Sequence, residues 1–298
     1  MNIRSALIGQ ESALAAGDGA ASGVSVFSVA AFAYNFLFRR FWLLARVLLL
    51  PIFAAGLVLY LCLSAYISEL LVFLSSPVPQ VASVALGTLA AGIFLSLFCY
   101  SLAVSSVMDM FSGKPQRSPL ALLRTQRQDW RVYAAYSRFL LVISAGLCAV
   151  FLAGGYVLPV LGISQAGTPW VLTLLSAVGA YWLIARVGFL VAPVIAGGEG
   201  TVLRAGWAQS SGNVLRNCVL VALLAGPGCL VWFSGEFLFR LEWANPYAGA
   251  GSTLADYANA MAQTLGEFVA LASMSAFVSI ILLTAGAMHV YRAAPQRN

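Results

Sequence analysis

Apolar residues in this chain come in long unbroken runs, with the polar residues gathered in short stretches between them. Six runs, about 43–66, 81–107, 133–161, 169–195, 217–239 and 265–290, reach the roughly 20 residues that a helix needs to cross a hydrocarbon core. They are continuous and lack the alternation of a barrel strand, so each is expected to be a helix that pairs its own backbone N–H and C=O groups in lipid. The predicted class is an all-α polytopic membrane protein with six transmembrane helices. Residues 24–292 form the membrane domain on this reading, and 1–23 and 293–298 are cytoplasmic tails. The fifth run contains Gly226-Pro227-Gly228, and a kink is expected where the Pro227 ring removes a backbone donor.

Composition agrees. The chain is 61% hydrophobic and 9% charged, and its mean hydropathy is +0.90, whereas soluble domains carry about 25% charged residues. Charge then sets the orientation. With six spans, Arg4, Arg39, Arg40, Arg46, Lys114, Arg117, Arg124, Arg127, Arg131, Arg138, Arg204, Arg216, Arg292 and Arg297 share one face, Arg240 lies on the other, and Arg186 falls inside a span. The bias places both termini in the cytoplasm and the protein in a bacterial inner membrane. The first 23 residues are rich in Ala, Gly and Ser and lack a continuous apolar stretch, so they are not expected to be a cleaved signal peptide.

Three lead-ins to the odd-numbered spans are alike: "FRRFWLLARVLLLP" at 38–51, "QDWRVYAAYSRFLLV" at 128–142 and "GNVLRNCVLVALLAGP" at 212–227. Each follows a segment suited to the membrane surface, so the chain reads as a three-fold repeat of cytoplasmic amphipathic helix plus transmembrane hairpin. In "SPLALLRTQRQDWR", Ser118 suits an N-cap and Pro119 a first helical turn. Arg124, Arg127 and Arg131 then share one face, with Trp130 on the apolar face beside it. In "EGTVLRAGWAQSSGN", Trp207 and Leu203 face the membrane and Arg204 reaches towards phosphates. With Arg39 and Arg40 these residues make a basic, aromatic-edged belt, read either as a plain topology signal or as a surface for anionic lipid headgroups or another membrane protein complex.

The element order, with "NFLFRRFWLL" entering the first span and "ARVGFLVAPVIAGGEGTVLRAGWAQSSGNVLRN" joining the fourth to the fifth, resembles the six-helix membrane domain of bacterial glycerophosphodiester phosphodiesterases and related, mostly uncharacterised, bacterial membrane proteins. Arg186, Pro193, Glu199, Ala205, Trp207, Ser211, Gly212 and Asn213 carry the likeness. The phosphodiesterase activity of those enzymes belongs to a soluble catalytic domain that has no counterpart in this sequence, so the resemblance implies the fold and not the activity.

Arg186 lies about 24 Å along a helix that starts near Trp170, close to the cytoplasmic boundary. Two readings are open: its long side chain snorkels to the phosphates or bonds a neighbouring helix, or it belongs to a polar pocket with Glu199 or another acid. Pro193 and Gly197-Gly198 are expected to end the span and turn the chain onto the surface. Small residues at Gly87 and Ala91, Ser176 and Ala180, and Ala272 and Ala276 are expected to let helices approach closely.

Catalysis finds little support. Five cysteines in apolar stretches without a CxxC and a single histidine, His289, argue against a metal site. No cofactor and no nucleic-acid partner is implied. The preferred reading is a non-catalytic inner-membrane scaffold or accessory subunit that organises anionic lipid or a protein partner through its basic cytoplasmic face. The rival is a small-molecule or lipid transporter with a pocket near Arg186 and Pro227.

Overall fold

The computed structural model describes residues 25–75, 79–112, 125–160, 168–197, 202–238 and 254–293. The described residues are helical: α1 (Val26–Arg39), α2 (Phe41–Ser75), α3 (Pro79–Phe111), α4 (Arg127–Val160), α5 (Thr168–Arg186), a 3-10 turn (Gly188–Leu190), α6 (Val191–Ala196), α7 (Val202–Gln209), α8 (Val214–Leu238) and α9 (Leu254–Ala293). Six stretches are long and apolar enough to cross a membrane: 41–67, 86–111, 127–154, 171–196, 214–234 and 264–290. They coincide with the six runs read from the sequence. The protein is therefore a polytopic all-α membrane protein.

Helices adjacent in the chain pack side by side, α2 with α3, α3 with α4, α4 with α5, and α8 with α9. Contacts of α5 with α8 and of α9 with α2 close the ring. Helix α9 is the hub, touching α1, α2, α3, α6 and α8. Its Phe277, Ile281, Leu282 and Ala285 are buried with Leu44 and Leu48 of α2 and Leu220 and Leu224 of α8. Side chains turned outward, among them Phe53, Leu57, Leu152, Leu174 and Val178, are large and apolar. A lipid solvent requires that inversion of the usual surface.

One end of the ring gathers the starts of α2, α4 and α8 and the ends of α3, α5 and α9; its arginines make it the basic end. The segment 27–40 forms a helix of its own, α1, with one face exposed at Phe27 and Phe38 and the other packed on the bundle. It is built into the bundle: Val29 and Ala33 are fully buried, Phe36 stacks on Phe111 of α3 at 4.7 Å, and Phe32 stacks on His289 of α9 at 4.1 Å. Ser25 caps its start by accepting a hydrogen bond from the Ser28 N–H at 3.2 Å.

The middle surface segment differs. Arg127, Trp130 and Arg131 lie in the first turns of the spanning helix α4, not on a separate surface helix, and Ser118, Pro119 and Arg124 lie outside the described residues. The Asp129 carboxylate fixes that start by accepting the Gln126 N–H at 2.7 Å, which is half of a capping box. Of the three-fold repeat, the structure thus describes separate lead-in helices for the first and third units, α1 and α7.

The fourth span ends at Ala196, with Gly197 after it as expected, and carries an additional break before its proline. Helix α5 stops at Arg186, the 3-10 turn follows, and Pro193 sits buried inside α6. Pro193 is tolerated because it lies in the first turn of α6, where its missing N–H has no helical acceptor to lose. The break is held by packing: Val191, Ala192 and Ile195 are buried against Val104 and Met108 of α3, Val132 and Ala135 of α4, and Met288 of α9.

Between α7 and α8 the chain turns at Gly212, whose φ of 80° lies in the left-handed region. The Asn213 N–H donates to the Ser210 carbonyl at 3.0 Å, and the Asn213 carbonyl accepts from Asn217 at 2.9 Å to start α8. A Cβ at Gly212 would meet no atom within 4 Å, so the strain is purely conformational. Gly212→Ala is expected to destabilise the protein by about 1–2 kcal/mol, read by thermal unfolding in detergent micelles.

Candidate functional site

The basic end is the candidate site, and its geometry starts at the break after α5. Gly206 of α7 is buried against Val187, where a Cβ would sit 3.4 Å from Val187 Cγ1, so α7 lies directly on the break. That placement brings Trp207 over Arg186: the guanidinium carbon is 3.6 Å from the Trp207 ring centroid. Trp182, one turn back on α5, lies 5.2 Å from the same carbon. The two indoles meet edge to face at 5.5 Å. Such stacking stabilises the cation electrostatically through the faces of both rings.

Arg186 is stacked against indoles and is not joined to an acid among the described residues. Its Nε is sealed from solvent and has no hydrogen-bond partner among them. Glu199, the acid expected beside it, lies outside the described residues.

Around this stack the charges are sorted by depth. Arg39, Arg40, Arg46, Arg127, Arg131, Arg138 and Arg204 are exposed, while Asp109 and Asp129 at the same end are 4% and 0% exposed. Positive charge faces outward and the described carboxylates of this end face in. Aromatic rings edge the belt: Trp130 packs on Phe98 at 5.1 Å with Tyr133 beside it at 6.0 Å, and Arg40 lies 5.2 Å from the Phe36 ring. Trp42 stands almost free at 84% exposure.

Pro227 is elsewhere. It sits within α8, whose helical assignment runs unbroken from Val214 to Leu238. Its ring removes the N–H that would bond the Leu223 carbonyl, and the Tyr34 hydroxyl of α1 donates to that carbonyl instead, at 2.8 Å. Gly228, the next residue, is pressed on α9. A bond from Tyr181 to the Cys218 carbonyl sets the register of α5 against α8. From it, Pro227 lies roughly 20 Å deeper than Arg186, at about 1.5 Å per helical residue. The two residues do not form one pocket.

Trp182 and Tyr34 are the participants that sequence reasoning missed. Trp182 had a readable signal, its i−4 spacing from Arg186. Tyr34 had none, because its acceptor is 189 residues away. Of the small residues singled out, Gly87 meets nothing within 4 Å, and tight approach to a neighbouring helix occurs at Gly56, Gly92, Gly154, Gly188, Gly228 and Gly286. The five cysteines are free thiols, and the described residues contain no group of three His, Cys, Asp or Glu able to hold a metal.

No family model, no curated protein and no solved structure matches this chain.

Proposed function

We infer that this protein is a non-catalytic bacterial inner-membrane protein, a scaffold or accessory subunit that gathers anionic lipid at its basic end, with that end in the cytoplasm. The observation that carries the reading is the sorting of charge: exposed Arg39, Arg40, Arg127, Arg131 and Arg204 over buried Asp109 and Asp129. Each exposed arginine near an anionic leaflet contributes about 1 kcal/mol of attraction, which salt screens. The tryptophans beside them suit the headgroup layer, where an indole keeps its ring in hydrocarbon and its N–H in water. The cytoplasmic placement follows from the same arginines through the positive-inside bias.

A transport pocket at Arg186 and Pro227 has less in its favour. The carbonyl that Pro227 frees is occupied by Tyr34, and Gly228 closes that side of α8 on α9. The resemblance to the membrane domain of glycerophosphodiester phosphodiesterases adds a prior for the fold and none for activity.

The test is retention of the purified chain by phosphatidylcholine vesicles with and without phosphatidylglycerol, across salt. Arg39→Gln, Arg40→Gln, Arg127→Gln and Arg131→Gln combined should remove most of the phosphatidylglycerol-dependent, salt-sensitive gain. A variant that keeps the full gain leaves the arginines as topology signals only.

A further inference from the structure

We propose that the Arg186–Trp207 stack is a discrete seat for one phosphate group, presented by an anionic phospholipid or by a soluble phosphate ester. The proposal rests on the lipid reading above and narrows it from a diffuse belt to a single site. A guanidinium has two ways to bind, through its faces and through the donor edge in its plane. In Arg186 the face is taken: Trp207 covers it at 3.6 Å, and Trp182 is 5.2 Å away. The donor edge remains. Its Nε is already desolvated and has no hydrogen-bond partner among the described residues, a state that carries a penalty until an acceptor arrives.

The acceptor that fits such a planar fork is an oxyanion with two oxygens to offer. Position selects phosphate. Arg186 closes α5 at the basic end, the end that the lipid reading sets against anionic headgroups. Both indoles are partly open, Trp182 at 38% and Trp207 at 43% exposure, so the seat can be reached from the bundle flank. Exposed Arg204, three residues before Trp207 on α7, adds a second cation nearby. The seat is also pre-formed, because Gly206 fixes α7 on Val187 and the stack holds the guanidinium before any ligand arrives. Little ordering is then left to oppose binding.

The experiment uses the full chain in a maltoside detergent, which has no phosphate of its own. Short-chain phosphatidylglycerol and, separately, inorganic phosphate are titrated while tryptophan fluorescence is read, and retained lipid is counted by native mass spectrometry. One saturable site is expected, weakened at least about tenfold by Arg186→Gln. Arg186→Lys, which keeps the charge and loses the flat fork, should weaken it comparably, and it serves as the folded control if the glutamine variant fails to fold. The combined Arg39, Arg40, Arg127 and Arg131 variant should keep the site.

Saturation by phosphatidylglycerol alone identifies a lipid seat, and saturation by both ligands identifies a site for phosphate esters generally. Absence of saturable binding in the unsubstituted chain, or unchanged binding after Arg186→Gln and Arg186→Lys, overturns the seat. The vesicle experiment is read independently: a salt-sensitive phosphatidylglycerol gain that persists while the seat fails leaves the broader lipid reading standing. Loss of that gain alone would do the reverse.

Discussion

Gly228→Leu is expected to destabilise the folded protein by about 3 kcal/mol, at the upper end of what overpacking does in a close-packed interior. A Cβ at this position would collide with Ser279 Oγ and lie 2.9 Å from the Ser275 backbone oxygen of α9. The hydroxyl can rotate away. The carbonyl can move only with its helix, so α8 and α9 must separate. Because α9 packs against five other helices, that separation is transmitted to α2 and α1 as well. Gly226, two residues earlier, is the matched control: a Cβ there meets nothing within 4 Å. Gly226→Ala should leave stability unchanged or raise it by up to about 1 kcal/mol through the unfolded state and helix propensity. Thermal unfolding in detergent micelles compares the two, and equal effects would mean that the α8–α9 contact is not the close one described.

The second large effect is expected at Tyr34. Tyr34→Phe should cost about 1–2 kcal/mol, because the Leu223 carbonyl then has neither its helical donor nor a replacement in an apolar setting. A double-mutant cycle makes the cause testable. In a Pro227→Ala background residue 227 regains its N–H, Leu223 can be paired within α8, and removing the hydroxyl should matter far less. A coupling of about 1 kcal/mol is expected. Additive effects would show that Tyr34 supports packing of α1 and not the broken ladder. This accounts for how a proline persists inside a spanning helix: the freed acceptor is paired from outside.

The six spans were legible because lipid imposes one requirement on every residue of a span, and a run of apolar residues displays it locally. The basic face was legible for a similar reason, since each span reverses the side on which charges fall. Other features needed knowledge of neighbours. Arg186 was recognised as out of place, yet its partner Trp207 is on another helix that only the turn after α5 brings near. The end of the fourth span at Gly197 was legible, but the earlier irregularity at Val187–Leu190 was not, because Pro193 is the stronger local signal and sits harmlessly in the first turn of α6. The separate helix at 26–39 was legible, but which of its faces packs on the bundle was not, because its apolar composition suits both a headgroup layer and a seam between helices. Likewise, small residues are visible as a spacing, but which of them touch depends on helix rotation, and Gly87 and Gly228 look alike until the neighbours are placed.

The burial of α1 has a consequence for how the protein is made. Tyr34 is bonded to a carbonyl 189 residues further on, and Val29 lies beside Gly286, almost at the other end of the chain. A chain that enters the membrane in order synthesises α1 first and its binding surfaces, α8 and α9, last. Until those two helices arrive, the face carrying Val29, Ala33 and Tyr34 has only lipid or a chaperone to cover it. Docking of α1 on α8 and α9 therefore comes after both have been made.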